Sequence, residues 1–408
     1  MSHHSQHRPK ILCLTSHAPQ GQEQGARLRA RHILRQLSRI AEVRLVLAGS
    51  YETYAEAPDP LPNPSRPSHI FDFHPWDVQT WGERLRRELG SNYLNTHGVR
   101  ATETDRRQLM QLMAEHDLVW VHGLRVANGF NLWKWPNTIL DIDDIPSAVT
   151  RTVMAQAQGT EAKLRALRKF YQWKRQEARL FERFAAMAVC SEPDRAHFGN
   201  SERVFVVHNG FEAPAASLAR KPVTPPRIGF IGSFAYAPNA NGMRWFLRNV
   251  WPGILQRAPA TVLRLVGRNS HHPEWRGGPN IDGLGWLEDA DADAEMATWA
   301  LTIVPIFEGG GTRVKISNAF SRKCPVVSTH LGAYGYEVAN GRELLLADKA
   351  PDFAAACVRI LTDERLAQRL ADTAWATFLA NWTWDATAPR LEQAIRFVLG
   401  QPRHSIPA

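Results

Sequence analysis

RIGFIGS, Arg227 to Ser233, is an apolar run ending in small residues; a helical pattern over Asn239 to Arg257 follows, then a second run, VLRLVG, Val262 to Gly267. The same design opens the chain. KILCLTS, Lys10 to Ser16, leads through a turn-rich loop (PQGQEQG, Pro19 to Gly25) into a helical pattern from Ala26 to Ser38, and a strand, Val43 to Leu47, follows at once. A strand, a small-residue loop, a helix and another strand make a β-α-β unit, which implies a parallel sheet with functional loops at the carboxyl ends of its strands. The restart at Arg227 therefore predicts two α/β domains.

The rest of the chain fits that division. Short apolar strands are expected at Leu118 to His122, Thr138 to Ile142, Ala186 to Cys190 and Val204 to Val207, and after the restart at Ala300 to Ile306, Pro325 to Thr329 and Glu343 to Ala347. APAASLARKPVTPP, Ala213 to Pro226, exchanges aliphatic residues for small ones and prolines and reads as a linker. The expected domains are residues 1–212, a linker over 213–226, residues 227–381, and a C-terminal helix within 382–408 packing back towards the first domain. A length of 408 residues suits two domains.

Composition excludes several classes. With 44% hydrophobic and 22% charged residues the chain is neither disordered nor of low complexity. Its net charge of +9 attracts phosphates, anionic lipid or nucleic acid without choosing among them. No apolar run is long enough to span a bilayer, and the start, MSHHSQHRPK, lacks a signal-peptide core, so a cytoplasmic protein is expected. The four cysteines, Cys13, Cys190, Cys324 and Cys357, are scattered without a C-x-x-C pair and read as buried thiols.

The segment richest in chemistry is EGGGTRVKISNAFSRKCP, Glu308 to Pro325. Three glycines let backbone N–H groups approach an anion, and Arg313 and Lys315 add positive charge where a helix begins. Two cations there are unfavourable unless an anion joins them. Neither the nucleotide-kinase loop nor the dinucleotide fingerprint is present, which leaves a phosphate-bearing ligand of another kind.

These motifs, with VHG (Val121 to Gly123), CSEPD (Cys190 to Asp194), VHNGFE (Val207 to Glu212), FIGSFAYAPNANGMRWF (Phe230 to Phe246), LVGRN (Leu265 to Asn269), GLGWLED (Gly283 to Asp289) and NWTWD (Asn381 to Asp385), stand in an order that resembles family 4, group 1, of the nucleotide-sugar glycosyltransferases. The resemblance implies two Rossmann-like domains facing a central cleft, the GT-B architecture, and transfer of a sugar from a nucleotide diphosphate sugar to a glycan or lipid-linked acceptor, with retained configuration and without a metal or other cofactor. It implies that Gly310, Gly311, Thr312, Arg313, Lys315, Asn318, Ser233, Arg268 and Gly285 surround the donor, that Gly21 and Gly25 form an N-terminal cleft loop, and that His122 lines the transferred sugar. Departures are visible: Asn318 and Gly310 stand where the family often has two glutamates, and Ser233 stands where it often has a basic residue. A nucleotide-sugar 2-epimerase of the same architecture and a non-catalytic nucleotide-sugar-binding protein are the alternatives.

Two further segments stay open. Asp141, Asp143 and Asp144, in TILDIDDIPS, match a metal-binding D-x-D literally, line an acceptor site, or serve the fold. Glu161 to Phe184 interleaves eight basic residues with Leu, Phe, Tyr and Trp, either as a solvated helix face or as a peripheral contact with an anionic membrane. No nucleic-acid motif accompanies the charge, so nucleic acid is not an expected partner.

Overall fold

A computed structural model describes residues 8–17, 25–49, 67–76, 80–90, 94, 98–214 and 220–401. The chain forms two compact units, Met1–Val207 with Ala388–Ala408, and His208–Thr387. The division thus falls at residue 207, and the chain crosses back at 388, within its last helix. Of the expected linker, residues 215–219 lie outside the described residues, as do Gly21 and most of the loop expected before the first helix.

In the first unit, β1 (Lys10–Thr15), β2 (Glu42–Gly49), β3 (His69–Asp72), β4 (Leu118–His122), β5 (Trp135–Ile142), β6 (Phe184–Val189) and β7 (Val204–Val206) form one sheet in the order β3-β2-β1-β4-β5-β6-β7. Every pairing is parallel. Such a sheet is covered on both faces, and β1 shows why its sequence is continuously apolar. Leu12 and Leu14 enter one core with Val119, Val121 and Leu140, while Ile11 and Cys13 enter the opposite core. That second core receives Ile33, Leu34 and Leu37 of α1 (Gly25–Ile40), and Leu391, Ala394, Ile395 and Val398 of the helix Trp384–Leu399. The last helix of the chain is thereby part of the first unit's core.

The second unit repeats the plan with β8 (Arg227–Ile231), β9 (Val262–Val266), β10 (Ile281–Gly285), β11 (Leu301–Val304), β12 (Val326–Ser328) and β13 (Leu345–Leu346), in the order β10-β9-β8-β11-β12-β13. Its strands are also all parallel. In both units the order reverses beside the first strand, the switch point at which a crevice opens past the strand ends.

Local chemistry accounts for the differences from expectation. β10 was not among the expected strands, since IDGLG is not an apolar run; a Cβ at Gly283 would lie 2.2 Å from the Ser270 carbonyl oxygen, so the glycine permits close approach of the turn that follows β9. The helix expected over 239–257 is interrupted by a π-turn at Phe246–Val250 immediately before Trp251-Pro252, because Pro252 cannot donate to the ladder. All four cysteines are buried and free; burial, with Asp141, pushes the Cys13 thiol up to about 12, so it stays protonated. No helix among the described residues is long and apolar enough to cross a membrane.

Asp141 corrects one expectation. It is 1% exposed and does not face an acceptor; Arg29 of α1, itself fully buried, donates to both its carboxylate oxygens from Nε (3.0 and 3.1 Å) and from Nη2 (2.5 Å). Nη1 of the same guanidinium donates to the Val207 carbonyl at 2.8 Å, beyond the end of β7. A buried carboxylate with this bidentate partner is structural. Arg29→Met is expected to destabilise the first unit by about 3–5 kcal/mol in urea unfolding, because it strands the Asp141 charge, while adding Asp141→Leu recovers most of that loss.

Candidate functional site

In the first unit a polar cluster forms at the ends of β1 and β4, on either side of the switch point. The His17 backbone N–H donates to Thr15 Oγ1 (3.1 Å), Thr15 Oγ1 meets His122 Nδ1 (3.2 Å), and His122 Nε2 meets Asp143 Oδ1 (3.2 Å). Donors and acceptors match along this chain in two states: Thr15 donates to Nδ1 of a neutral His122 that carries its proton on Nε2, or Nδ1 of the protonated ring donates to Thr15 Oγ1. Gly123, at φ 89°, turns the backbone just past His122, and its N–H donates to the Asp141 carbonyl (2.8 Å).

Burial opposes charge on His122, but the Asp143 carboxylate and its hydrogen bond, helped by Asp141, leave the imidazole above its ordinary 6.5. Asp143 is held well below 3.8: burial resists ionisation, and the His122 charge and hydrogen bond overcome it. The neighbouring His17 ring, 5.7 Å from His122, is lowered to about 4 by burial and by His122 and stays neutral. His122 thus has both ring nitrogens engaged inside the unit and is only 5% exposed. Asp143 Oδ2 takes no hydrogen bond from the described residues, and this side chain is 23% exposed, so it is the outward group of the pair. Asp144 is exposed, and Gly25 is the first residue of α1.

The second unit places a different chemistry at its own switch point. Past β8 the backbone runs through Gly232 and Ser233, and past β11 it enters the glycine loop, where Gly309 and Gly311 adopt φ of 102° and 61° that other residues rarely hold. The helix Val314–Phe320 follows, shorter than the expected element and with Arg313 as its first flanking residue. Its second residue, Lys315, reaches back over β8: the ammonium lies 5.1 Å from the Phe230 ring centroid, and a Cβ at Gly232 would come within 2.4 Å of Nζ and 2.9 Å of Asn239 Nδ2. Lys315 forms no ion pair or hydrogen bond with the described residues. Burial, with the nearby Arg313 charge, lowers it from 10.5 to about 7. Asn239 Nδ2 is fixed by the Ser233 carbonyl at 2.7 Å.

Other expected donor residues are arranged less simply. The Arg313 guanidinium folds back onto its own loop and donates to the carbonyls of Gly310, Gly311 and Glu308. Those carbonyls therefore point at arginine. Thr312 Oγ1 accepts from Asn209 Nδ2 at 3.0 Å. Asn318 Oδ1 accepts from Arg322 Nη1 at 2.6 Å, while the same arginine is paired with Asp293, so the asparagine's acceptor is already taken. At Gly285 the backbone N–H donates to Ser270 Oγ (2.9 Å) and the carbonyl accepts from Gly267 N–H (2.7 Å), so both backbone groups are engaged within the unit. Arg268 is exposed beyond β9, and the Ser233 side chain is half-buried beyond β8. Phe230, Gly232 and Asn239, which shape the Lys315 niche, and Thr15 and His17, beside His122, were not singled out from sequence. Except for Asn239, in the helix Ala237–Trp245, their one legible signal was position at or near the end of a first strand.

Comparison with known proteins adds a family match over part of the chain and a fold. Residues 225–363 match the family described as Glycosyl transferases group 1. Over 133 residues the chain is 26% identical to an uncharacterized 44.6 kDa protein in the cps region of Klebsiella pneumoniae; the match covers 31% of this chain and 34% of that protein, so it spans about a third of that relative's length. Among solved structures, sucrose-phosphate synthase from Thermosynechococcus elongatus is similar with a TM-score of 0.66 at 16% identity, covering 95% of this chain and 98% of that one. HepE of Anabaena, in complex with UDP and glucose, is similar with a TM-score of 0.61 at 14% identity, covering 94% and 98%. At these identities the likeness is one of fold, the GT-B architecture of two Rossmann-like domains.

The His122–Asp143 pair carries a testable pH dependence. His122, raised in the fold, contributes its stabilisation fully below 6.5 and loses it as pH rises through its folded value; Asp143, lowered in the fold, contributes above 3.8 and loses it as pH falls through its folded value. The pair is thus expected to stabilise most between those two ordinary values. Asp143→Asn leaves burial and Arg29 to prevail over Asp141, so NMR titration of the imidazole should show the His122 pKa fall below 6.5.

Proposed function

Residues 225–363 carry the group 1 glycosyltransferase domain in a chain of GT-B fold, and on that footing we propose that the protein transfers a sugar from a nucleotide diphosphate sugar to a glycan or lipid-linked acceptor. One observation carries the donor assignment: Lys315 holds an ammonium at the switch point of the second sheet, half-withdrawn from water, with no carboxylate partner among the described residues. Leaving a lysine there costs folding energy, since the fold lowers its proton affinity. A diphosphate recovers that cost and restores the charge. The UDP and glucose bound to HepE, a protein of the same fold, support a nucleoside diphosphate as the ligand.

In this reading Lys315 and the Ser233 hydroxyl hold the diphosphate beside the glycine loop. Arg313 joins them by exchanging the Gly310 and Gly311 carbonyls for phosphate oxygens, and Arg268 is the outer cation past β9. The service to catalysis is to stabilise negative charge on the departing nucleoside diphosphate, which is greatest in the transition state. Protein cations supply that stabilisation, so the reaction is assigned no metal. Asp143, held ionised by His122, accepts a hydrogen bond from a sugar or acceptor hydroxyl. Its depressed proton affinity makes it a poor base, so its role is to orient. Retention of anomeric configuration completes the proposal.

Incubation with UDP-, GDP-, ADP- and dTDP-sugars followed by mass spectrometry is expected to yield a new glycoside, undiminished by EDTA; an epimerised donor, or no product with any donor, overturns the assignment. Lys315→Ala is expected to weaken binding of the cognate nucleoside diphosphate about 10- to 150-fold, the worth of one charge-assisted hydrogen bond. Wild-type affinity should also fall as pH rises above about 7, because free Lys315 deprotonates there while the complex requires its charge. Calorimetry across pH checks both, and the pH dependence should vanish in Lys315→Ala.

A further inference from the structure

The first unit carries two neighbouring helices that leave large apolar side chains in solvent. Trp81–Leu89 places Trp81, Leu85 and Leu89 at four-residue spacing, one stripe of an α-helix. That stripe faces solvent, with Trp81 76% and Leu89 66% exposed. The helix is held instead by its polar side. Arg168 of the helix Thr160–Glu177 donates from Nε and Nη2 to the Glu88 carboxylate, Gln172 Nε2 donates to Glu88 Oε2 at 3.1 Å, and Arg175 donates to the Glu88 carbonyl. The partner helix turns Leu164, Leu167 and Tyr171 outward as well.

These six side chains are half of the twelve large apolar side chains exposed among the described residues, gathered on two touching helices. An apolar stripe left outside while a glutamate makes the internal contact is explained by a partner that covers it. The charge around it selects that partner. By sequence the two helices hold nine basic and four acidic residues, an excess of +5 out of the chain's +9, and Arg84, Arg86, Lys163 and Lys169 are exposed beside the apolar residues. Of the four acids, Glu88 is consumed by Arg168 and Glu177 is buried by Ser147 and His197. Apolar side chains that penetrate, ringed by cations that stay in water, suit the boundary between headgroups and acyl chains of an anionic bilayer.

We propose that the helices Trp81–Leu89 and Thr160–Glu177 together form a docking face for an anionic membrane surface, with Trp81, Leu85 and Leu89 inserted and Lys163, Lys169 and Arg84 at the lipid phosphates. The proposal goes beyond the glycosyl-transfer reading and does not depend on it, since its test measures no turnover. In co-sedimentation, the protein is expected to bind vesicles of phosphatidylglycerol and phosphatidylcholine, to release them as salt rises, and to bind pure phosphatidylcholine poorly. Lys163→Gln with Lys169→Gln should weaken partition about 30-fold, at about fivefold per cation. Trp81→Ser with Leu89→Ser should weaken it at least about tenfold while leaving the circular dichroism spectrum and melting temperature unchanged, since both side chains are already in water. Equal binding to charged and neutral vesicles, or binding indifferent to both double variants, overturns the proposal. So does light scattering that shows a wild-type dimer abolished by Trp81→Ser with Leu89→Ser, because the stripe is then covered by a second copy of the chain.

Discussion

The buried ion pair between Arg29 and Asp141 organises the first unit. One guanidinium reaches from α1 to the end of β5 and to the backbone beyond β7, so three segments distant in sequence meet on a single charge. A carboxylate placed there without its arginine would be too costly to bury, and an arginine without its carboxylate equally so. The pair therefore constrains how α1 lies on the sheet. It also sets the background field for its neighbours: Asp141 helps raise His122 and Cys13, while Arg29 opposes the charge on His122.

Asp141 and Asp143 show how two residues divide the labour of one short motif. The first lies within β5 and turns to a buried cation; the second lies just past the strand and turns to His122, where its side chain stays 23% exposed. A D-x-D that looks like a metal clamp in sequence is thus split between a structural ion pair and an orienting one. Among the described residues no three carboxylate, histidine or cysteine side chains gather as a ligand set.

The two sheets share a strand order that reverses beside the first strand, and each concentrates polar chemistry there. Their characters differ. The first unit closes its network internally, with both ring nitrogens of His122 partnered, whereas the second leaves Lys315 over the Phe230 ring with no counter-charge among the described residues. Burial beside the Arg313 charge is what lowers the proton affinity of this lysine. The glycine loop next to it is braced by Arg313.

Much of this was legible in the sequence. Continuous apolar runs on a period that hides both faces announced parallel strands, and the restart at Arg227 announced a second unit, because burial on two faces demands apolar residues at every strand position. The glycine loop and its two cations were legible as a candidate anion site for the same kind of reason: residue types with one strong physical preference are readable alone. Partnership was not readable. Nothing in TILDIDDIPS separates Asp141 from Asp143, and nothing in GGGTR says that Arg313 binds its own loop while Lys315 stays unpaired, since a charge acquires its role from what the fold brings within about 3 Å of it. The outward stripe of Trp81, Leu85 and Leu89 was hidden likewise, because an amphipathic pattern is identical whether its apolar side faces a core or water, and only the clasp at Glu88 decided which.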